Sequence, residues 1–520
     1  MVSKINSVGL FGLHSYMVEV EADIESGKFR FDLVGLPDTA VQESRERVLS
    51  AIKNSAKVYP NEHITINLAP ADVRKEGSVY DLPIYIAILC CMRRLRGDFG
   101  DAAFLGELSL SGDVRPVAGV LPMVIEAKKA GLARIFVPAA NAAEGAVVEG
   151  ITVYPVVHVR QLLAFLEGTT APDDPEPLLP TPPYVFNGAD PFAGVLDFAD
   201  VKGQTAAKRA LEVAAAGGHN ILMSGPPGSG KSMLAKRLPT ILPDMTFEEA
   251  LETTKIYSVA GALDGEQGLV TRRPFRSPHH TVSQMGLSGG GVIPRPGEIS
   301  LAHNGVLFLD ELPEFSRSAL ESMRQPIEDG KITISRAAGA LTYPCEIMLV
   351  AAMNPCPCGY LGHPTKPCTC TPQAAQRYLA RVSGPLLDRI DIQIEVPPVD
   401  FAALSDRSKR EETSATIKAR VNAARRIQQD RFRDSKTTCN AKMSASEIER
   451  YCELDAAGKA LVQKIFDSLG LSARAYTKIL KLSRTIADVE GSERILPQHI
   501  TEAIRYRNLD RRIFQNGGNV

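Results

Sequence analysis

Between an apolar run and a helical pattern, the chain carries the octapeptide Gly225-Pro226-Pro227-Gly228-Ser229-Gly230-Lys231-Ser232. The run before it, 221–223, suits a buried strand, and residues 233–238 suit a helix. In such a G-x-x-x-x-G-K-S loop, backbone N–H groups turn inward onto phosphate oxygens. We call it the P-loop. It predicts that all eight residues bind ATP, with Lys231 on the β- and γ-phosphates and Ser232 on Mg²⁺.

Two further apolar runs end in polar side chains that complete this chemistry. The first, 306–309, ends in Asp310 and Glu311, and the second, 347–352, leads to Asn354. We predict that Asp310 holds Mg²⁺ through water and that Glu311 polarises the attacking water. Asn354 is placed to hydrogen-bond that water or the γ-phosphate. The alternatives are a buried strand capped by solvated acids and a polar turn at a strand end.

The P-loop and Asp310 lie further apart than a minimal strand–helix–strand unit requires, so an insertion is expected between them. Residues 271–296 fit, because glycine and basic residues without apolar periodicity favour an extended hairpin or a loop. This is either a pore element or a surface loop. His279 and His280 within it can ligate metal, but no cysteine lies nearby.

A β-hairpin is predicted from the runs 330–336 and 339–344. Its tip carries Arg336, with Lys331 lower down, and we assign these two side chains to DNA binding. Two other arginines are candidate catalytic residues. Arg389, in the run 384–391, can supply charge to the γ-phosphate of a neighbouring subunit, and Arg474 can reach the γ-phosphate from a helical lid. The alternatives are a surface Arg389–Asp391 pair and an ordinary helix arginine.

Four cysteines form two C-x-C pairs, Cys356 with Cys358 and Cys368 with Cys370, separated by nine residues. Four thiolates are the ligand set of a closed tetrahedral zinc site, which leaves no open position for catalysis. We therefore predict a structural Zn²⁺ knuckle inserted at 356–370. Free buried cysteines, or another metal or redox role, are the alternatives.

The whole chain divides at a composition shift. Residues 1–168 read as an α/β domain, and 169–191 form a proline-rich linker. Residues 192–400 form a P-loop αβα core with the cysteine insertion, and 401–520 are helical, as a C-terminal lid. The predicted fold class is α/β.

Charge and hydropathy restrict the partners. The formal net charge is −1, so any nucleic-acid site must be a local patch. No secretory signal is visible, and the longest apolar run, 82–92, is too short to cross a bilayer. With nine cysteines and no such signal, we expect a reducing cytoplasm and no membrane partner.

The first domain resembles the proteolytic domain of Lon, on Lys75-Glu76-Gly77 and the stretch Gly106-Glu107-Leu108-Ser109-Leu110-Ser111-Gly112 with its continuation to Val120. Lon-type peptidases use a Ser–Lys dyad. Here the nucleophile position falls on Val79 and the lysine position on Met123, which can neither attack a carbonyl nor move a proton. Ser78 lies one residue away. The resemblance therefore implies a catalytically dead Lon-like fold that serves assembly or binding.

The run 274–280 and the run 294–305 that leads into Asp310 resemble the magnesium-chelatase-like AAA+ family. With the Lon-like domain and Asn354-Pro355-Cys356-Pro357-Cys358-Gly359, essentially all 520 residues resemble its competence-protein branch. That resemblance implies a homo-hexameric ATPase that translocates on single-stranded, forked or branched DNA. It implies helicase and branch-migration activity with recombination proteins, and integration of incoming DNA during natural transformation.

Other functions remain open at this stage. A chelatase-type motor would drive metal insertion or remodel a protein partner, although the Lon-like domain argues against the first. A non-motor scaffold or a Lon-like peptidase is disfavoured by the intact nucleotide motifs and the missing dyad. DNA-stimulated ATP hydrolysis separates these functions.

Overall fold

The computed structural model describes residues 2–56, 60–169, 177–186, 196–265, 267–291, 294–336, 339–399, 411–469 and 472–507. They form two compact units. The first unit contains residues 1–187, 247–270 and 335–342, and the second contains 188–246, 271–334 and 343–520. Each unit therefore draws on segments that are separate in sequence.

The strands, which build a sheet in each unit and two small hairpins, are numbered in chain order. They are β1 (Ser3–Phe11), β2 (His14–Glu25), β3 (Arg30–Val34), β4 (His63–Ala69), β5 (Ala102–Phe104), β6 (Glu107–Leu108), β7 (Val114–Arg115), β8 (Arg134–Pro138), β9 (Thr152–Val156), β10 (Ile221–Ser224), β11 (Phe275–Arg276), β12 (Val306–Leu309), β13 (Lys331–Arg336), β14 (Gly339–Pro344), β15 (Met348–Met353) and β16 (Ile392–Glu395).

The α-helices are numbered in the same way. They are α1 (Thr39–Gln42), α2 (Ser44–Ser55), α3 (Asp81–Cys91), α4 (Val120–Lys129), α5 (Ala142–Gly145), α6 (Val159–Glu167), α7 (Thr205–Gly217), α8 (Lys231–Arg237), α9 (Phe247–Ala260), α10 (Gln284–Ser288), α11 (Glu298–Leu301), α12 (Arg317–Ser322), α13 (Arg324–Asp329), α14 (Pro372–Leu379), α15 (Gly384–Leu387), α16 (Ser414–Arg431), α17 (Ala445–Tyr451), α18 (Ala456–Leu469), α19 (Ala473–Val489) and α20 (Pro497–Arg505).

The first unit is built on a seven-stranded mixed sheet in the order β3-β4-β2-β1-β5-β8-β9. β1 and β2 form an antiparallel hairpin, and β2 also pairs antiparallel with β4, whereas the outer pairs are parallel. Side chains of β4 alternate between buried and half-buried, as expected where only one face of a strand meets the core. The sequence patterns predict strands over 31–35 and 64–68, which correspond to β3 and β4, but they predict no strand before Phe31 and therefore do not identify the β1–β2 hairpin.

Helix α3 coincides with the apolar run 82–92, which is too short to cross a bilayer. It is buried from Asp81 to Leu89 and packs against β1 and β2. Across the described ranges, no helix combines the length and the apolar character that a bilayer crossing requires. The run is therefore a core helix of the first unit.

The proline-rich segment lies partly outside the described residues, which omit 170–176 and 187–195. Its described part, 177–186, has no helix or strand and belongs to the first unit. The backbone N–H of Thr181 donates to Val153 O at 2.8 Å, and that of Tyr184 donates to Ala146 O at 3.0 Å. Backbone hydrogen bonds thus attach this part to the unit that precedes it.

The second unit contains a five-stranded, wholly parallel sheet in the order β11-β12-β15-β10-β16. β10, β12 and β15 are buried along their whole length and are apolar except for Ser224 at the end of β10, as expected for strands covered on both faces. Ser224 pairs with Met353, and Leu309 pairs with Ala351. The carboxyl ends of three strands therefore meet at one edge, where parallel sheets place their ligands.

The C-terminal helices pack onto this sheet's core. Ile417 and Val421 of α16 and Ile479 and Ile486 of α19 share one buried apolar cluster with Ile221 of β10. The sequence pattern predicts helices over 445–451, 456–469 and 473–489, and α17, α18 and α19 have these bounds in the structure. Amphipathic spacing predicts these helices well because each buries one apolar face against the unit.

Two predicted features differ in the structure. The sequence pattern predicts a single helix over 318–328, but the structure splits this region at Met323 into α12 and α13. Pro326 has no N–H to donate to residue 322, so the helical hydrogen bonding is interrupted there. The insertion expected as a hairpin or loop over 271–296 contains a strand of the core sheet, β11, and a short helix, α10. The β13–β14 hairpin is confirmed.

A buried carboxylate joins α16 to α19 and gives the first prediction. Asp488 is 2% exposed and accepts from Arg431 at 2.6 and 2.8 Å and from Arg484 Nε at 3.0 Å. Asp488→Asn removes the charge that compensates two buried guanidinium groups, and we expect it to lower the free energy of unfolding by about 3 kcal/mol. Urea unfolding of the full chain measures this.

The matched control is Asp430→Asn, because Asp430 and its partner Arg433 are 72% and 76% exposed. An exposed pair contributes about 0–1 kcal/mol, so this variant should unfold as the wild type does. Equal effects of the two substitutions would show that the Asp488 network does not stabilise the unit.

Candidate nucleotide site and cysteine cluster

The P-loop residues 225–232 connect β10 to α8 at the carboxyl edge of the parallel sheet. Gly228 and Gly230 have φ angles of 78° and 92°, a region that residues with a Cβ rarely adopt. Gln204, 4% exposed, donates from its amide to Ser229 O at 3.2 Å and to Pro397 O at 2.8 Å. The loop is therefore fixed from outside, by a residue for which the sequence patterns predicted no such role.

Lys231 is enclosed by the loop that carries it. Its Nζ donates to Gly225 O at 2.7 Å, to Pro226 O at 2.9 Å and to Asn354 Oδ1 at 3.3 Å. Burial lowers the pKa of Lys231, and the charge of Asp310 opposes that shift. These three partners are neutral oxygens, so an anionic phosphate would bind the ammonium more strongly than they do.

Ser232 and Asp310 meet although their strands, β10 and β12, are not neighbours in the sheet. The Ser232 Oγ donates to Asp310 Oδ2 at 2.6 Å across the end of β15. Oxygen ligands of Mg²⁺ lie about 2.1 Å from the ion and therefore about 3 Å from one another. This pair fits adjacent positions on one Mg²⁺ ion, directly or through a water molecule.

Glu311 lies beside the insertion that precedes β12. Its backbone is left-handed, with a φ of 53°, and its side chain is 56% exposed. The Nδ1 atom of His280 lies 3.5 Å from its carboxylate, and the His280 ring packs edge-on against Phe315. From sequence, His280 was considered only as a metal ligand, whereas the structure makes it the neighbour of the expected catalytic carboxylate.

Asn354 follows β15, and its neighbour Tyr378 on α14 is a further residue that the sequence patterns did not identify. Burial, with the charges of Glu314 and Glu311, raises the pKa of Tyr378 to about 12, and hydrogen bonding by the Asn354 backbone opposes that shift. The phenol therefore stays neutral at physiological pH and lies between the end of β15 and the carboxylates that follow β12.

Arg389 and Arg474 lie together, in a separate cavity of about 380 Å³. Its lining includes the basic side chains of Lys442, Lys478 and Lys481, and neither the P-loop nor Asp310 or Glu311 contributes to it. Arg389 donates to Pro385 O at 2.7 Å and pairs with the Glu328 carboxylate. The structure thus brings the two arginines together but not to the P-loop.

Asp391 in the lining of this cavity is an ionised carboxylate with two basic neighbours. Asp391 lies 3.5 Å from Lys478 Nζ and 3.4 Å from His219 Nδ1. Burial raises the pKa of Asp391, but the His219 hydrogen bond and the nearby lysine charges prevail and lower it to about 2. The carboxylate is therefore ionised at all physiological pH values, and the basic residues still outnumber the acidic ones in the lining.

The expected DNA contacts lie on the β13–β14 hairpin. Lys331 begins β13 and is exposed, whereas the side chain of Arg336, at the end of β13, lies outside the described residues. The sequence also contains the basic residues Arg505, Arg507, Arg511 and Arg512, which are weak evidence for DNA binding, and of these Arg511 and Arg512 lie outside the described residues.

The positions expected for a peptidase dyad hold no such pair. Val79 and Met123 are 7% and 1% exposed and belong to the apolar core of the first unit. The hydroxyl of Ser78 donates to the Glu107 carboxylate, and the ammonium of Lys75 donates to the carbonyls of Pro70 and Val73. Neither polar side chain is arranged as a nucleophile with its base.

The four cysteines converge in the second unit. The Sγ atoms of Cys356, Cys358, Cys368 and Cys370 all lie within 4.8 Å of one another, with three of the separations at 3.4, 3.5 and 3.7 Å. Tetrahedral zinc with bonds of about 2.3 Å would separate its sulfur ligands by about 3.8 Å. The cluster can therefore hold a zinc ion, and among the described residues no other group of metal ligands, including His279 and His280, does so.

His363 lies in the loop between the two C-x-C pairs, but its Nδ1 atom accepts hydrogen bonds from the backbone of that loop. Its Nδ1 accepts from the backbone N–H groups of Thr365 at 3.2 Å and Lys366 at 3.0 Å. Backbone N–H groups of Tyr360 and Thr369 lower the pKa of Cys358 to about 5. Hydrogen bonding by the Cys370 backbone does not prevent burial and the neighbouring sulfurs from raising the pKa of Cys368 to about 12, so a metal would have to displace a proton there.

Comparison with known proteins identifies the family of this chain. Three family profiles match the chain. The profile described as magnesium chelatase, subunit ChlI, matches residues 197–404, and the one described as subunit ChlI of Mg-chelatase matches residues 20–141. The profile of the ChlI C-terminal region matches residues 411–507. The uncharacterized protein YifB of Salmonella typhimurium is 44% identical over 509 residues, 98% of this chain and 97% of that protein. The competence protein ComM of Haemophilus influenzae is 44% identical over 506 residues, 96% of each chain.

The chain belongs to the ComM/YifB-type magnesium-chelatase-like family. This family has an AAA+ ATPase domain, so the chain has the ATPase activity that the P-loop geometry also indicates. A weaker similarity exists to the Lon protease of Mycolicibacterium smegmatis, 28% identical over 166 residues, 29% of this chain and 21% of that protein.

The cysteine cluster gives a direct measurement. We expect the purified full-length chain to contain about one zinc ion, because the four sulfurs already have the separations of a tetrahedral site. Metal analysis of the protein, before and after Cys358→Ser with Cys368→Ser, measures this. The control is Cys90→Ser with Cys91→Ser, a pair outside the cluster, which should retain the zinc. A folded wild-type chain without metal would contradict the assignment.

Proposed function

We propose that this chain is an ATP-driven homo-hexameric DNA motor, a helicase and branch-migration translocase. It would act in homologous recombination and in the integration of incoming DNA during natural transformation. The observation that carries the proposal is the similarity to a competence protein along 96% of both chains, combined with an assembled nucleotide site in this one.

ATP and Mg²⁺ bind at the P-loop. The Lys231 ammonium, now bound to loop carbonyls, would bind the β- and γ-phosphates, and Ser232 and Asp310 would hold Mg²⁺, which would supply positive charge to the triphosphate. Glu311 accepts the proton of the attacking water, and Asn354 orients that water or the γ-phosphate. The Glu311 side chain is 56% exposed and is therefore accessible to solvent water.

Arg389 and Arg474 act on the nucleotide of a neighbouring subunit. What supports this is that their cavity shares no lining residue with the P-loop, Asp310 or Glu311. Five basic side chains against three acidic ones leave the cavity cationic, as a triphosphate site requires. An arginine that reaches the γ-phosphate from a neighbour accelerates hydrolysis by about 10³–10⁵ in other nucleotide hydrolases. Hydrolysis is then completed only in a ring.

DNA contacts come from the β13–β14 hairpin, with Lys331 and Arg336 on the backbone phosphates. A few basic side chains per subunit, repeated around a ring, make a cationic channel although the net charge of the chain is −1. The chain contains no Trp, so stacking on bases must use Tyr, Phe or Arg. Recombination proteins that process the same junctions are the expected partners.

The cysteine cluster holds a structural zinc ion, and the protein works in the cytoplasm. Four free thiols within 4.8 Å would be prone to oxidation outside a reducing compartment, which supports that location.

A second function is a chelatase-type ATPase that drives metal insertion or remodels a protein partner. It is favoured by the three profiles, all described by a magnesium chelatase subunit. The same measurement of DNA-dependent activity decides between the two.

Completion of the site between subunits can be tested by mixing two inactive variants. We expect Lys231→Ala to lose nucleotide binding and Arg389→Ala to bind ATP without hydrolysing it efficiently. Their mixture should recover hydrolysis, because Lys231→Ala subunits supply Arg389 to intact P-loops of their neighbours. Steady-state phosphate release measures the recovery.

The control is the double variant, which should give no recovery with Arg389→Ala. Arg474→Ala is a second partner for the same experiment, since Arg474 is exposed and its removal leaves packing intact. Hydrolysis by isolated monomers at the wild-type rate, or no recovery on mixing, would contradict the interfacial role.

The DNA motor predicts that single-stranded and forked DNA stimulate ATP hydrolysis several-fold and that the protein displaces a strand of the fork. Lys331→Ala and Arg336→Ala should each reduce the stimulation. Each should also lower the salt slope of DNA binding by about one, because one phosphate is no longer neutralised. The control is Lys236→Ala, an exposed lysine on α8. Active hydrolysis that no DNA stimulates, without strand displacement, would favour the chelatase-type function.

A further inference from the structure

The cysteine cluster is joined directly to the nucleotide site by the chain itself. Asn354, whose Oδ1 lies 3.3 Å from Lys231 Nζ, is separated from Cys356 only by Pro355. Cys356 is fully buried. A displacement at this end of the cluster therefore reaches the amide beside the P-loop lysine through two peptide units.

The loop of the cluster also touches the P-loop. Gly359 has a φ of 83°, and a Cβ at this position would lie 2.5 Å from Cδ and 3.2 Å from Cγ of Pro227. Contacts under 3.0 Å are not tolerated by real side chains, so the glycine is what permits the approach. The two loops are packed backbone against ring, at the point where the P-loop is otherwise exposed.

The chain segment that leaves the cluster after Cys370 also leads towards Asn354. Thr371, directly after Cys370, caps α14 by accepting from the Ala374 N–H at 3.2 Å. That helix carries Tyr378, where burial raises the pKa of the phenol and the nearby Asn354 backbone opposes the shift. The segment that leaves the cluster after Cys370 therefore runs into a helix with a residue near Asn354, while the other segment reaches Asn354 through Pro355.

Local hydrogen bonds do not by themselves hold the two ends together. The bonds within the loop join residues two or three positions apart, such as Gly359 N–H to Cys356 O at 3.0 Å and His363 N–H to Tyr360 O at 3.1 Å. The contacts that close it are made by sulfur, including Cys358 N–H to Cys370 Sγ at 3.4 Å. In a segment without helix or strand, a metal cross-link supplies the constraint.

We propose that metal occupancy of the four-cysteine cluster sets the affinity of the P-loop for ATP, through the contact between Gly359 and Pro227 and the placement of Asn354. This rests on the zinc and nucleotide sites proposed above. With metal bound, the loop supports Pro227 and holds Asn354 beside Lys231. Without metal, the loop relaxes, and the P-loop loses the support on its exposed side. The cluster thereby makes nucleotide binding dependent on metal supply.

Nucleotide affinity of the full-length protein, measured with a fluorescent ATP analogue and Mg²⁺, tests this without relying on hydrolysis. Protein stripped of metal by a chelator under reducing conditions should bind the analogue about tenfold more weakly, a loss of about 1.4 kcal/mol in binding free energy. Returning Zn²⁺ should restore the affinity. Circular dichroism before and after stripping reports whether the chain remains folded.

Two glycine variants make the test independent of metal removal. Gly359→Ala should retain its zinc yet bind ATP more weakly, because the added Cβ must displace Pro227. Gly362→Ala is the matched control, since Gly362 lies in the same loop with a φ of 76° and has nothing within 4 Å of an added Cβ. It carries the same backbone strain without the contact and should bind ATP as the wild type does.

The outcomes separate the inference from its premises. If the protein contains zinc, but neither removal of the metal nor Gly359→Ala changes its affinity for the ATP analogue, the coupling alone is overturned. A folded chain that contains no metal and binds ATP normally would overturn the zinc site and the coupling with it. If stripping unfolds the chain, the comparison of Gly359→Ala with Gly362→Ala decides, and equal affinities of these two variants would overturn the coupling.

Discussion

The parallel pairing of β10 with β15 is the contact on which the nucleotide site depends. Because Ser224 is opposite Met353, the P-loop and Asn354 leave the sheet at the same level. β12 pairs with the other side of β15 and brings Asp310 to the same edge. A shift of this register by one residue would move all side chains of a strand to the opposite face and separate Lys231 from Asn354.

The side chains expected to take part in ATP hydrolysis lie in two separate places within the second unit. The residues that we propose to bind phosphate and Mg²⁺ lie together at one sheet edge, with hydrogen bonds from 2.6 to 3.3 Å. The arginines that would stabilise the transition state occupy a different cavity. Because the P-loop site and the arginine cavity are separate, this arrangement favours a subunit that can bind ATP by itself but hydrolyses it only within an assembly. The cysteine cluster lies on the binding half, against Pro227.

Comparison of sequence and structure shows which signals are local. The bounds of α17, α18 and α19 follow from helical periodicity, and β12 and β15 follow from apolar runs. The β1–β2 hairpin was missed, and the break at Met323 was overlooked because an apolar pattern continues across Pro326. The membership of α9 in the first unit has no local signal at all, since it depends on packing against α4.

The sequence by itself determined the chemistry: a P-loop, two carboxylates after an apolar strand, an asparagine at a strand end and four paired cysteines. Each is a short pattern whose meaning depends on residue type and spacing. Only the tertiary structure decided which of these groups meet. It joined Ser232 to Asp310, placed His280 beside Glu311, brought Gly359 against Pro227 and kept Arg389 and Arg474 apart from the P-loop. The reason is physical, because contacts between distant segments follow from strand order and register, which no local pattern contains.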